Sequence, residues 1–469
     1  LLDYRPRVEE LPVTVDSLVG TCVALKFVRD GRKLLEEFEV NDQKRSSTSE
    51  LWTGRTEFKL KPSWTWKSVV SSDCLSVEAK RGRKEVVERQ LEECRRQGLR
   101  DAKEKEWKKL LNSGAVVLHT GKDAEKIRRN VAKKRVLKSR FVVTEAETGK
   151  SPETADLKAR WCIRGYLDPD LLELDTSAPT LSAEGLAVSM QLMASCGWRM
   201  SIADVEGAFL RGDYLSPARG RIFVEPPPGG IPGVEEGSII EAVKAVYGLA
   251  DAPKAWWLSF SKSLKKLGMR VSSFDPCVFY FYDSNNKLSG VIALHVDDMC
   301  LGGDKTFQRV IVEPLKKMYP FKHWKEGSGE FLGKWLVQDL AGNIQMSQEK
   351  YAAELQGLEI PKERRRCRDS PVLESERMQL RGVLGAVNWL VTGSRPDLAA
   401  WCSLLQQKVS KATVQELIEA NKLVSLGGDN RKAVVWIKAI PLDQVQFVVL
   451  TDAAWANGAE KCSQAGYMI

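Results

Sequence analysis

Histidine is the scarcest reactive residue in this chain: three in 469, at His119, His295 and His323. Ten cysteines stand singly, and no C-x-x-C pair occurs among them. These two shortages rule out the usual zinc spacings and argue against a histidine-centred nuclease or protease. Cysteines scattered in this way are expected to be reduced and mostly buried, as in an intracellular protein. Long apolar runs are also missing; none approaches the roughly 18 to 20 residues needed to cross a bilayer. The opening "LLDYRPRVEELPVTVD" mixes charges with its apolar residues and has no signal-peptide core. It begins with Leu1 instead of Met, as a piece of something larger would. If this chain catalyses a reaction, carboxylates are the tools it has.

What is present fits a globular protein. Apolar residues make up 43% and charged residues 28%, and the length suffices for two to four domains with substantial cores. Lysine and arginine number 71 against 62 acids, a net charge of +9 that hints at an anionic partner. The distribution says more than the sum. Residues 122–140, "KDAEKIRRNVAKKRVLKSR", hold about nine basic residues against two acids, and "KERRRCR" (362–368) is a second cluster. Such runs are either solvated helix faces or contacts for a phosphate backbone, and composition leaves both readings open.

Within "VIALHVDDMCLGG" (291–303), two adjacent aspartates, Asp297 and Asp298, interrupt two apolar runs. The pattern predicts a β-hairpin with the acids at or near its bend and Gly302-Gly303 closing the second run. Two carboxylates held this close are either a solvated turn or a metal site, since like charges need a cation to stay ionised. Elsewhere, residues from about 75 to 112 read as a helix ending at Asn112-Ser113-Gly114. "RVLKSRFVVTEAETGK" and "LKARWCIRGYL" read as two strands joined by a Gly-containing turn, carrying Lys138, Arg140, Lys158, Arg160 and Arg164. Residues 181–197 read as a core helix, Arg199–Ala203 as a strand reaching Asp204, and 225–233 as a proline-rich loop. "EAVKAVYGLADAPKAWW" reads as a helix-like run interrupted by Gly248 and Pro253, and "FDPCVFYFYD" as an aromatic strand. A second hairpin turns at 341–343, a helix capped by Ser347 follows, and 375–426 is mainly helical with a break at 392–397.

Antiparallel strands could bring Asp204, Asp297 and Asp298 to one edge of a sheet. Three acids without histidine suit a pair of Mg2+ ions, with Mn2+ as the alternative, because hard cations take oxygen ligands. Two such ions activate an attacking hydroxyl and stabilise a leaving pyrophosphate, so cations for a triphosphate are also needed. The basic hairpin around Lys158–Arg164 offers them, and Gly207 and Gly248 would let backbone approach a nucleotide.

The ordered segments resemble the reverse transcriptase of copia-type long-terminal-repeat retrotransposons. "LKARWCIRGYL" is similar to that family's K-A-R-L-V-A-R-G-F, and "WRMSIADVEGAFLRGD…IFVEPPPG" to D-V-x-x-A-F-L-x-G…Y-M-x-Q-P-P-G-F. "AVYGLADAPKAWW" resembles L-Y-G-L-K-Q-A-P-R-A-W, and "HVDDMCLGG" the Y-V-D-D box. "FLGKWL", "MSQEKYAAEL" and "GAVNWLVTGSRPDLAAW" follow in the family's order, and "LTDAAWANGAEKCSQAGYMI" is similar to the start of its RNase H domain. The likeness covers roughly residues 100–469.

The resemblance implies an α+β right-hand polymerase with an antiparallel palm sheet. Its fingers and palm would cover 100–355, a mainly helical thumb and connection 356–440, and a partial RNase H-like domain 441–469. Residues 1–99 form a region of unclear fold. On the same basis Asp204, Asp297 and Asp298 match the metal-binding carboxylates. Phe209 matches the aromatic gate against a 2′-hydroxyl, Lys158 and Arg160 match residues near the triphosphate, and Tyr247 and Gly248 match the nucleotide pocket. Expected partners are an RNA template, a DNA primer or hybrid duplex and dNTPs, with no membrane. The compartment implied is intracellular, in a cytoplasmic particle or the nucleus. No protease or integrase signature is visible, as expected for one piece of a polyprotein. Of the carboxylates that RNase H chemistry needs, only Asp452 is present, so RNA cleavage is not expected.

Three positions depart from the family. His295 stands in place of tyrosine and brings a group that can charge near neutral pH. Ala250 and Asp251 replace Lys-Gln, removing one positive charge near the template–nucleotide surface. These departures keep a second function open: a decayed or domesticated copy that binds nucleic acid without polymerising.

Overall fold

The described residues form helices and short, largely apolar strands in a mixed α+β fold. The computed structural model describes residues 85–86, 88, 91–145, 156–446, 450–454 and 464–468. The strand-like pieces expected in 1–65, among them "TCVALKFV", and the turn expected after residue 145 lie outside those residues. The chain runs through α1 (Glu93–Asn112), β1 (Val116–His119), α2 (Gly121–Asn130), β2 (Val136–Leu137), β3 (Ser139–Glu145) and β4 (Leu157–Ile163). Then come α3 (Ala183–Ser195), β5 (Ser201–Val205), β6 (Ile222–Val224), β7 (Ile239–Ala242) and α4 (Ala252–Lys266). β8 (Arg270–Val271), β9 (Val278–Tyr282), β10 (Leu288–His295), β11 (Asp298–Gly303) and β12 (Phe321–Glu326) follow. β13 (Ser328–Phe331), β14 (Lys334–Gln338) and β15 (Ile344–Ser347) precede α5 (Glu374–Gly393), α6 (Ala399–Lys408) and α7 (Val414–Asp429). The last strands are β16 (Val434–Ile437), β17 (Leu450–Ala454) and β18 (Gln464–Met468).

These elements form two units, one ending at Ala178 and resuming over Gly207–Lys262, the other comprising Pro179–Glu206 and Ser263 onward. In the first, β3 and β4 pair as an antiparallel hairpin in the register Phe141↔Trp161. Period-two alternation sends Ala159, Trp161 and Ile163 inward and leaves Lys158 and Arg160 exposed. Trp161 is fully buried, and Trp107 of α1 meets it edge-on at 6.1 Å between ring centres. A second sheet has the order β1-β7-β6-β2. Here the expected helix-like run is corrected. Glu241 and Ala242 end β7, whose pairing with β1 and β6 on both sides overrides local helix propensity. The helix begins only at Ala252, and Pro253 sits in its first turn, where the missing N–H has no intrahelical partner to lose.

In the second unit six antiparallel strands run β12-β5-β11-β10-β9-β8, with α3 packed on β9, β10 and β11. The N-cap of α3 is Ser182, whose hydroxyl accepts the Gly185 N–H and donates to the buried Asp275 carboxylate at 2.7 Å. Gly302 and Gly303 end β11, where the sequence placed the close of the second apolar run. Gly303 pairs with Gly290 of β10, and a Cβ on either would collide with the fully buried Phe307 ring. The glycine pair is the slot that holds that ring.

A further sheet, β13-β14-β15-β16, contains the expected turn at 341–343, with Asp339 accepting from Asn343. Ser347 ends β15, and the helix after it has Gln348 at its N-cap with no side-chain bond, which corrects the expected Ser347 cap. Leu380, Leu384, Val387 and Leu390 of α5 form one apolar stripe against Cys402 and Leu405 of α6 and Leu417, Ala420 and Leu423 of α7. α7 opens on a Thr413–Glu416 capping box. The expected break after α5 is held by Arg395, which is 4% exposed. Its guanidinium donates to the carbonyls of Leu426, Gly427 and Asn430 at the end of α7 and to both oxygens of Asp397. β17 and β18 pair antiparallel and place Asp452 opposite Gly466.

Candidate metal centre

β5 lies between β11 and β12, and the register sets Asp204 opposite Asp298 on one side and opposite His323 on the other. Asp298 in turn lies opposite His295 of β10. Residues paired across antiparallel strands share a face. A row His323, Asp204, Asp298, His295 therefore crosses four strands of one sheet. Among the described residues, Asp204, Asp298 and His323 offer ligand atoms that all lie within 4.8 Å of one another.

Asp297 is not in that converging set. It is the second of the two residues turning β10 into β11, and its carbonyl accepts the Val205 N–H at 2.9 Å, tying the turn to the end of β5. Val296, the first turn residue, has φ +58°, where a β-branched side chain is strained. The expected hairpin with acids at its bend is thus present, with Asp298 already in the strand.

A β-bulge shapes the other side of the row. Phe321 pairs with Val205 and His323 with Asp204, so Lys322 is an extra residue in β12. The bulge turns both Lys322 and His323 toward one carboxylate oxygen. Lys322 Nζ stands 3.2 Å from Asp204 Oδ2, and His323 Nδ1 stands 3.9 Å from the same atom.

Burial pushes the Asp298 carboxyl up to about 6, with repulsion from Asp297 and Asp204 adding to it. Lys322 opposes that rise, and Glu330 adds a little to it. A cluster that resists ionisation in this way is short of positive charge. Two carboxylates and an imidazole are a fitting donor set for a divalent cation, and the Lys322 ammonium on Asp204 is a stand-in for one. His295 behaves differently from expectation. Burial depresses its pKa, with the Asp297 charge opposing, and among the described residues its buried Nδ1 has no hydrogen-bond partner.

The other residues singled out from the sequence lie in the first unit. Phe209, in a 3-10 turn over Ala208–Arg211, meets Tyr247 edge-to-face at 5.4 Å, and the Arg160 guanidinium lies 5.7 Å from the Tyr247 ring centre. Lys158 faces the same way as Arg160, and both charges act on the half-buried Glu106 of α1, whose carboxyl desolvation pushes up. Gly248 adjoins them at φ +95°, and here the protein itself needs the glycine. A Cβ would strike the Ile163 carbonyl, while Ile163 N–H donates to Tyr247 O at 2.8 Å. Asp251 is drawn into a buried ionic cluster: Arg219, 7% exposed, donates to Asp251 at 3.0 Å and also to Asp168 and Asp170.

Sequence reading missed His323, Lys322 and Glu330. The only signal for the first two is a cation and an imidazole side by side in "FKHWKE", and strict alternation would send one of them to the opposite face.

The sequence profile of a family described as "Reverse transcriptase (RNA-dependent DNA polymerase)" matches residues 125–360. The Retrovirus-related Pol polyprotein from transposon TNT 1-94 of Nicotiana tabacum is 27% identical over 46% of this chain and 16% of its own length. That from transposon RE1 of Arabidopsis thaliana is 24% identical over 66% of this chain and 22% of its own. The chain thus spans less than a quarter of either relative. Among solved structures, the foamy viral protease-reverse transcriptase in complex with dsDNA is similar at a TM-score of 0.41 and 11% identity, covering 78% of this chain and 63% of that one.

Proposed function

The chain belongs to the reverse transcriptase (RNA-dependent DNA polymerase) family, and from that premise we propose that it copies RNA into DNA by two-metal nucleotidyl transfer. The observation that carries the proposal is the cross-strand pair Asp204 and Asp298, whose charges resist coexisting without a cation. In this reading the six-stranded sheet is the palm, the unit holding the β3–β4 hairpin contributes the fingers, and α5–α7 belong to the thumb and connection.

Mg2+ bound there would neutralise phosphate charge and favour ionisation of a primer 3′-hydroxyl. The chain's own residues supply the rest. Asp204 and Asp298 hold the ion, with Asp297 beside them on the turn. Lys322, whose side chain is 61% exposed, is long enough to leave Asp204 when an ion arrives. Phe209, braced edge-on by Tyr247, takes the place of the gate under the sugar. By family likeness we assign Lys158 and Arg160, which share one side of β4, to the triphosphate, with an RNA template and DNA primer as the polymeric partners.

A second reading is a copy that binds nucleic acid and does not polymerise. His295 favours it, since an imidazole whose buried nitrogen has no partner among the described residues stands where the family has a phenol. Primer extension on an RNA template with an annealed DNA primer, dNTPs and Mg2+ separates the two. Extension that falls at least about a hundredfold in Asp297→Asn/Asp298→Asn is expected for the polymerase. Equal absence of extension in both proteins, with template binding retained, would leave the second reading, and His295→Tyr would then be the variant to assay.

A further inference from the structure

The bulge in β12 bears on which ion the row selects. Without the extra residue at Lys322, alternation along β12 would put either Lys322 or His323 on the face away from Asp204. With it, an imidazole nitrogen joins two carboxylates in a single ligand-sized cluster. Mg2+ binds imidazole poorly, holding to oxygen donors and water. First-row transition ions accept mixed nitrogen and oxygen donors, and their affinity climbs along the series from Mn2+.

We propose that His323 is a metal-selectivity residue: its imidazole joins Asp204 and Asp298 as a nitrogen ligand and makes this palm favour transition-metal divalent ions over Mg2+. The inference rests on the reading of Asp204 and Asp298 as the ion's carboxylates. His323 lies close enough to take part with a small movement, since Nδ1 is 3.9 Å from Asp204 Oδ2 and its side chain is 32% exposed. Lys322 shares that oxygen and is the group an ion must displace. Mg2+ retains Asp204 and Asp298, so the imidazole widens the choice of ion without removing the oxygen donors.

The test uses the full chain with 15N-labelled histidine and Mn2+ as the probe, read by pulsed electron paramagnetic resonance. A 15N coupling to Mn2+ in the unsubstituted protein, lost in His323→Gln, is the expected result. Calorimetric titration should then show the ratio of Mn2+ to Mg2+ affinity falling about tenfold or more in His323→Gln, with Mg2+ affinity nearly unchanged. Mn2+ that binds without 15N coupling, and is lost in Asp204→Asn but not in His323→Gln, would overturn the inference and leave the polymerase reading standing. Failure of both ions to bind, together with failure of primer extension, would remove the reading as well. The labelled unsubstituted protein shows by itself whether a histidine binds the ion, and the loss in His323→Gln assigns it to His323 over His295 of the same row.

Discussion

Asp298 is where folding and the proposed metal binding make opposite demands on one side chain. Burial, Asp297 and Asp204 favour its protonated form up to about pH 6, whereas an ion requires the carboxylate. The folded, ion-free chain therefore binds a proton that the unfolded chain has released between the ordinary value of 3.8 and about 6. The sign follows directly: with more protons bound in the native state, this group's contribution to stability is present below pH 3.8 and is lost as pH rises to about 6. Two outcomes are expected. The melting temperature of ion-free Asp298→Asn should exceed that of the unsubstituted protein, by a margin that grows from pH 4 to 7. Mg2+ affinity measured by titration should rise with pH by up to about tenfold per unit below pH 6 and level off above it, because Asp298 releases one proton for each ion bound. A flat affinity between pH 5 and 7 would show that Asp298 is ionised without help.

The β10–β11 hairpin shows how an element carries such a residue. Its apolar runs pair Ile292 with Leu301 and Ala293 with Cys300, so both faces of the sheet are buried there and the register has little room to slip. Phe307 pins the far end by filling the space left at Gly290 and Gly303. Gly303→Ala should destabilise the protein by about 1–3 kcal/mol as overpacking against a rigid ring, read as a lower urea midpoint at unchanged slope. An unchanged midpoint would mean the ring relocates freely. This element also marks what was legible in the sequence. Two short apolar runs flanking the acids gave the hairpin and its acidic bend, because that information is local. The end of the second run at Gly302-Gly303 was legible too, but the need for glycine at 303 comes from a ring in a later segment. Glu241 and Ala242 were misread as helix because their partners in β1 and β6 lie in other segments of the chain. The metal row was half legible. Asp204 and Asp298 could be placed by strand pairing, but His323 enters through a bulge that no periodicity announces. Arg395 and Asp251 likewise find their partners only across sequence gaps, at the end of α7 and at Arg219.

On the scale of the whole molecule the question is what the +9 charge does. The basic segment 122–140 is less available than its composition suggests. Arg128 donates to the carbonyls of Gly237 and Ser238, while Arg129, Arg135 and Arg140 pair with Glu125, Asp170 and Glu85. Those four arginines support the fold. Lys122, Lys126, Lys133 and Lys134 are exposed, as are Arg365, Arg366 and Arg368 of the second cluster, whose Arg364 is committed to Glu376. The choice between a solvated face and phosphate contacts therefore concerns only the exposed residues of the two runs. If the exposed set meets a phosphate backbone, each contact releases counterions and steepens the salt dependence of binding by about 0.7 to 0.9 per charge. Replacing Arg365, Arg366 and Arg368 together by glutamine should then reduce the slope of log affinity against log salt for a template–primer duplex by about 2. Replacing the four lysines by glutamine should act in the same direction, and the two losses should add if the clusters contact separate phosphates. Slopes unchanged in both variants would assign these runs to solvent, and the duplex would then be held by other cations, with Lys158 and Arg160 on the exposed face of β4 the next to replace.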